Sequence, residues 1–183
     1  MKVGIYGGSF NPIHNGHIKL AEIFFKELEL DEVWFMVSPQ NPFKINNKLL
    51  NDTLRFQLVE KALKNKKYMI ACNYEFSLPK PSYTWNTLQQ LSSDFPTNKF
   101  ILLIGGDNWL AFNKWYHAND ILENYSIAVY PRTYSKSTEN CNLFSTKNVT
   151  LLNIPLINIS STDIRQRIKK GETIKGLVPE CIL

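Results

Sequence analysis

The sequence predicts an α/β fold, a single domain over residues 1–183 built on a doubly wound, mainly parallel sheet. Three observations lead there. Short apolar, β-rich runs alternate with longer segments whose apolar residues recur at helical spacing, the pattern of a parallel sheet with right-handed crossovers. The run Lys99-Phe100-Ile101-Leu102-Leu103-Ile104 is almost continuously apolar after its first residue, which suits a central strand covered on both faces. The chain has 183 residues, 44% of them hydrophobic, enough for one packed core and too few for two.

The elements follow in order. Residues 2–6 read as a buried first strand that stops at the pair Gly7-Gly8 and feeds a tight turn. Over 16–28 the residues Ile18, Ala21, Phe25 and Leu28 form a helical stripe, widened by Phe24. A second strand is expected at 33–37. Residues 38–51 form a polar, Pro-containing loop long enough to suggest function. Asp52 is placed to cap a helix running to Leu63. Further strands are expected at 69–72, 99–104, 126–130 and 149–153, a turn entering a helix at 82–91, and a helical segment after Gly105-Gly106-Asp107. Residues 133–147 read as a polar, mobile loop. A last helix over 160–170 stops at Gly171.

Composition narrows the setting. There are 21 basic and 16 acidic residues, a net charge of +5, which suits polyanionic ligands such as nucleotides and also nucleic acid. The densest run, Lys64-Asn65-Lys66-Lys67, reads as a solvated helix end. Cys72, Cys141 and Cys181 are far apart and odd in number, which argues against a disulfide framework and structural zinc. No stretch approaches the roughly 20 apolar residues that span a bilayer. A soluble cytoplasmic protein with reduced thiols is expected, with no membrane or nucleic-acid partner, as a monomer or a homo-oligomer.

The chemistry concentrates in Gly7-Gly8-Ser9-Phe10-Asn11-Pro12-Ile13-His14-Asn15-Gly16-His17. Ligands of open α/β sheets bind beyond the carboxyl ends of the strands, where this segment falls. Glycines let backbone approach an anion closely. The free N–H groups and dipole of the helix that starts near Asn15-Gly16 favour a phosphate there by roughly 0.3–2 kcal/mol. His14 and His17, three residues apart at the mouth of that helix, each offer a donor to phosphate oxygens. No Glu follows His14, so the HExxH zinc pattern is not met. Near the other end, Ile159-Ser160-Ser161-Thr162-Asp163-Ile164-Arg165 precedes or opens a helix. Ser160 or Ser161 can cap it, and Arg165 offers a planar fork to phosphate.

GGSFNPIHNGH resembles the signature of the nucleotidyltransferases with the HxGH motif, whose fold resembles a Rossmann sheet. The doubled glycine, and His14 where the pantetheine-phosphate enzymes carry Thr, resemble the nicotinate-mononucleotide branch. ISSTDIR is similar to that family's ISSTxIR motif, and SYT with Thr87-Leu88 to the branch's SYTxxTL segment. The resemblance covers nearly the whole chain.

It implies transfer of the adenylyl group of ATP to nicotinate mononucleotide, giving nicotinate adenine dinucleotide and pyrophosphate. Mg²⁺ is implied as the companion of ATP, held mainly by phosphate oxygens, with no protein metal site. His14, His17, Lys44 and Arg165 are implied to balance charge on the reacting phosphates. Gly7, Gly8, Ser9, Phe10, Gly16, Ser160, Ser161 and Thr162 are implied to bind ATP. Tyr83, Thr84, Gly105, Asp107, Trp115, Tyr116 and Arg132 are implied to bind the mononucleotide. Asp107 is read as a ribose-hydroxyl acceptor or a helix N-cap. Trp115 is read as a stacking face for the cationic pyridine ring, worth roughly 0.5–2 kcal/mol. Two departures from the family pattern stand out. The loop reads Asn41-Pro42-Phe43-Lys44 in place of Pro-Pro-His-Lys, so only Lys44 remains there as a phosphate partner. Asn11 stands where many relatives have Asp. Rival readings are the same chemistry on nicotinamide mononucleotide or a pantetheine phosphate, or a nucleotide- or nucleic-acid-binding protein without catalysis.

Overall fold

The computed structural model describes residues 1–39, 49–131 and 147–183. Six strands form one sheet: β1 (Lys2–Gly8), β2 (Glu32–Val37), β3 (Met69–Cys72), β4 (Lys99–Gly105), β5 (Ser126–Tyr130) and β6 (Val149–Leu151). The helices are α1 (Asn15–Glu27), α2 (Asp52–Leu63), α3 (Thr84–Asp94), α4 (Gly106–Leu110), α5 (Ala118–Asn124) and α6 (Ser161–Lys170). The strand order is β3-β2-β1-β4-β5-β6, and every pairing is parallel. The order reverses between β1 and β4. The chain leaving their carboxyl ends therefore turns to opposite faces of the sheet, which opens the crevice in which such sheets bind ligands.

Alternation along the strands divides the core in two. In β4, Ile101 and Leu103 join the cluster under α1 and α2, with Phe24, Phe35 and Val59. Phe100, Leu102 and Ile104 point to the opposite face and pack with Leu88, Leu91, Trp109 and Ile121. Period-two alternation with apolar residues on both faces is what a doubly covered strand requires.

Several boundaries differ from expectation for visible reasons. β1 runs through the glycine pair, because Gly7 and Gly8 continue the ladder against Met36 and Val37 of β2. The turn shifts to Ser9–Asn11, where Phe10 takes φ 43°. Asp52 does not cap α2; Asn51 does, accepting from the N–H groups of Thr53 and Leu54. β6 is shorter than predicted. Ser160, not Ser161, caps α6, accepting from Asp163 N–H, and Gly171 ends that helix at φ 68°. Ser160→Ala is expected to cost about 1 kcal/mol in urea unfolding, the usual loss for an N-cap hydroxyl.

Among the described residues, no helix is long and apolar enough to cross a membrane. Cys72 and Cys181 are free thiols, and burial pushes the Cys72 thiol up from its ordinary range. Cys141 and nearly all of the 133–147 loop lie outside the described residues.

Candidate active site

The crevice is a cavity of about 660 Å³, within the usual range for sites that enclose small ligands. Its floor is the end of β1. A side chain at Gly7 would project into open space, so glycine there keeps the floor clear. Phe10 lies 98% buried, its ring beneath Gly8 and edge-on to His17, with centroids 5.0 Å apart. Its left-handed backbone is a sparsely populated conformation for a bulky residue, and the surrounding packing holds it there. Phe10 thus buttresses His17.

His14 and His17 cap α1 for each other. His14 Nδ1 accepts from the backbone N–H of His17 at 3.2 Å, and His17 Nδ1 accepts from that of His14 at 3.2 Å. The rings stack with centroids 3.5 Å apart. Because both Nδ1 atoms accept, each neutral imidazole carries its proton on Nε2. The pair is an arrangement of two Nε2–H donors in a cavity wall. Gly16 makes it sterically feasible, since a Cβ there would come within 3.0 Å of His14 Nδ1.

The free N–H groups expected at the start of α1 are fewer than the helix end suggests. The Asn15 N–H donates to Leu177 O and the His17 N–H to the His14 cap. Among the described residues, Gly16 N–H is left as the open donor of the first three.

The motifs at the two ends of the chain meet directly. Ser161 Oγ donates to Pro12 O at 2.9 Å, and Arg165 Nη1 donates to Asn11 O at 2.7 Å. Arg165 Nη2 donates to Thr162 Oγ1. Among the described residues two of the five guanidinium N–H groups are engaged, and the others can donate to an anion. Ser160, Ser161, Thr162 and Arg165 all line the cavity beside His14, Gly16 and His17, as do Gly7, Gly8, Ser9 and Phe10.

The opposite half is walled by Tyr83, Thr84, Gly105, Trp115 and Tyr116. The Tyr83 and Tyr116 rings lie 4.9 Å apart. Tyr83 occupies the N-cap of α3 but makes no side-chain cap bond, so that helix opens toward the cavity without a side-chain acceptor. Asp107 is not brought into the cavity. It is exposed in the first turn of α4, while Gly105 holds the N-cap position and Asn108 lines the cavity instead. Lys44 and Arg132 lie outside the described residues, as does Phe43.

Two buried ionic groups complete the surroundings. Arg55 has no exposed surface. Its Nη1 donates to Ser9 O and Ser38 O, its Nε to Leu50 O and its Nη2 to Asp52 Oδ1. Asn11 Oδ1 accepts from the N–H of Leu50. Glu75, 6% exposed, lines the cavity and accepts from Ser38 Oγ and Thr87 Oγ1. Burial raises its carboxyl above the ordinary range, and the two hydroxyl bonds oppose the rise. Neither residue stands out in the sequence. Arg55 reads as a surface partner of Asp52 three residues away, and Glu75 sits in a short 3₁₀ turn, Tyr74–Ser77, without a helical stripe.

A cytidylyltransferase-like family model matches residues 5–167. A probable nicotinate-nucleotide adenylyltransferase of Cytophaga hutchinsonii is 46% identical over 97% of this chain and 91% of its own length. One from Bacteroides thetaiotaomicron is 42% identical over 96% and 85%. The chain belongs to the nicotinate-nucleotide adenylyltransferase family.

In fold it is similar to a Plasmodium falciparum nicotinic acid mononucleotide adenylyltransferase solved with NaAD, at TM-score 0.81 and 19% identity, covering 99% of this chain and 92% of that one. A putative nicotinate-nucleotide adenylyltransferase from Vibrio parahaemolyticus gives TM-score 0.73 at 23% identity, with 99% and 95% covered. The family's nucleotidyl-transfer chemistry calls for anion donors on one side of a cleft and an acceptor site on the other. The cavity has that division.

Proposed function

We propose that the protein joins ATP and nicotinate mononucleotide to give nicotinate adenine dinucleotide and pyrophosphate, a step in NAD biosynthesis. The observation that supports this most is the two-sided cavity, lined on one side by the His14–His17 pair and the α6 start and on the other by the start of α3. A 5′-phosphate oxygen of the mononucleotide attacks the α-phosphorus of ATP in line. The new P–O bond forms as the bond to the β-phosphate bridging oxygen breaks, and pyrophosphate leaves with that electron pair. The attacking phosphate is already anionic, so the reaction needs alignment and charge stabilisation more than a base. Positioning of this kind lowers a barrier by roughly 7–11 kcal/mol.

In this reading the Nε2–H groups of His14 and His17 and the Gly16 N–H meet the α-phosphate and the leaving oxygens. Ser160, Ser161, Thr162 and Arg165 hold the β- and γ-phosphates; Ser161 contributes its backbone N–H, since its hydroxyl already donates to Pro12 O, whereas Thr162, whose Oγ1 accepts from Arg165, keeps its hydroxyl proton to donate. Lys44 and Arg132 are assigned to phosphates on the family resemblance. Trp115 stacks on the pyridine ring. Thr84 and backbone N–H groups near Tyr83 and Tyr116 take its carboxylate, at a helix N-terminus that favours negative charge. Asp107 would reach the ribose only through a change from its exposed position. Among the described residues no group of three His, Cys, Asp or Glu side chains is placed to hold a metal. A Mg²⁺ arriving with ATP would be held by the phosphate oxygens and would supply neutralisation of charge on the leaving group.

The acid-over-amide preference is the sharpest test. Purified protein given ATP and either mononucleotide, with pyrophosphate release as readout, should show kcat/KM at least about tenfold higher for the acid. That is the scale of one charge-assisted hydrogen bond gained at an uncapped helix end. Equal or greater efficiency with the amide would overturn the choice of acceptor, and no pyrophosphate with either would overturn the reaction.

A further inference from the structure

Glu75 is a buried carboxylate with no cationic partner among the described residues, held in a cavity wall by two hydroxyls. Burying such a charge costs several kcal/mol unless something repays it. Apolar residues would fill the same space at less cost, so the fold gains little from it. What it does is join the residue after β2 to the first turn of α3 at the cavity wall, through a polar bond to each.

The connections form one continuous path. Ser38 N–H donates to Gly8 O at 3.0 Å, which ties the end of β2 to the phosphate-side floor. Arg55 fastens Ser38 O and Ser9 O to each other. Ser38 Oγ donates to Glu75 Oε2 at 2.7 Å. Thr87 Oγ1 donates to Glu75 Oε1 at 2.8 Å and lies 3.3 Å from Tyr83 O. Thr87 N–H donates to Tyr83 O at 3.1 Å, closing the first turn of α3. The path begins at the Gly7-Gly8-Ser9 floor and ends at the acceptor-side turn.

We infer that Glu75 is a positioning residue whose bidentate carboxylate, bridging Ser38 and Thr87, fixes the distance between the ATP-phosphate turn and the acceptor turn. The inference rests on the adenylyl-transfer reading above. In-line attack needs the two bound substrates in a set relation, and misplacement of about 1 Å is enough to cost roughly 10²-fold in rate. A carboxylate suits this task because its two oxygens accept from donors on two different elements at once. A carboxamide presents one acceptor and one donor, so it cannot take both hydroxyl protons in the same way.

The test separates spacing from local binding. Glu75→Gln and wild type are titrated with a non-hydrolysable α,β-methylene ATP analogue, with nicotinate mononucleotide, and with nicotinate adenine dinucleotide. The dinucleotide spans both turns and responds to their separation; each mononucleotide probes one turn. Each single-site Kd is expected to stay within about twofold, while the dinucleotide binds about tenfold more weakly and kcat falls at least as much, as tethered two-site binding predicts when the span no longer matches. Thr87→Val should reproduce the effect and Thr87→Ser, which keeps the hydroxyl, should not. This comparison remains decisive if Glu75→Gln folds poorly. Equal weakening of acceptor and dinucleotide would make Glu75 a local binding group and overturn the inference, as would unchanged dinucleotide affinity. A wild-type protein that binds neither dinucleotide nor acceptor would sink the functional reading as well.

Discussion

His17→Ala is expected to lower kcat by about 10²–10³-fold, the usual loss on removing one preorganised donor to a developing negative charge. KM for ATP should move only a few fold. The asymmetry follows from where the imidazole sits. Its Nδ1 is occupied by the His14 N–H, which fixes the Nε2–H as a donor before substrate arrives. Phe10 and Tyr6 pack edge-on to the ring and hold its plane. A donor already fixed in place has little to reorganise as charge shifts toward the leaving pyrophosphate. In the proposed reading ground-state ATP has other partners, the α6 start and Arg165 among them, and so loses little. Alanine also removes the acceptor for the His14 N–H, which costs about 1 kcal/mol in stability. His17→Gln separates the two effects, since Gln at this helix position completes a capping box. It should restore the unfolding midpoint without restoring turnover. Near-normal kcat in the alanine variant would remove His17 from transition-state stabilisation.

The same residue shows how far sequence reaches and where it stops. The strand-Gly-Gly-turn-helix pattern around His14 and His17 is local. Period and punctuation located β1 and α1 to within one or two residues. Their mutual capping was not legible, because Ser, Thr, Asp and Asn are the residues that usually signal an N-cap. The meeting of GGSFNPIHNGH with ISSTDIR was expected only as shared phosphate binding. The direct bonds from Ser161 to Pro12 and Arg165 to Asn11 depend on β1 lying central and α6 returning to it, which no spacing encodes. Asp107 fell outside the cavity because β4 continues to Gly105 and the helix starts at once at Gly106, turning the next side chain outward. Glu75 and Arg55 were invisible for a related reason. Charged side chains are buried by tertiary partners, here hydroxyls and carbonyls from distant turns, and sequence distance carries no trace of that. The acceptor half was legible only through motif resemblance, since a single Trp-Tyr pair has a core reading equally open to it.

Arg55→Ala is expected to destabilise the protein by about 3–5 kcal/mol, the range for removing one partner of a buried ionic network. Against a total stability of roughly 5–15 kcal/mol, that is a large share of the whole. The side chain has no exposed surface and satisfies Ser9 O, Ser38 O and Leu50 O together with the Asp52 carboxylate. Alanine leaves these acceptors without their donor and opens a cavity between α2 and the ends of β1 and β2. Arg55→Lys is the more instructive variant. It keeps the charge but replaces a planar fork with a point of three donors, too compact to reach acceptors spread over four residues. A loss of about 2 kcal/mol is expected, measured by urea unfolding. At temperatures where the variant stays folded, kcat should still fall, because Ser9 and Ser38 line the cavity and lose the guanidinium that bridges their carbonyls. A lysine variant within 0.5 kcal/mol of wild type, with normal turnover, would show that the charge alone suffices and that the fork does not set the shape of the site.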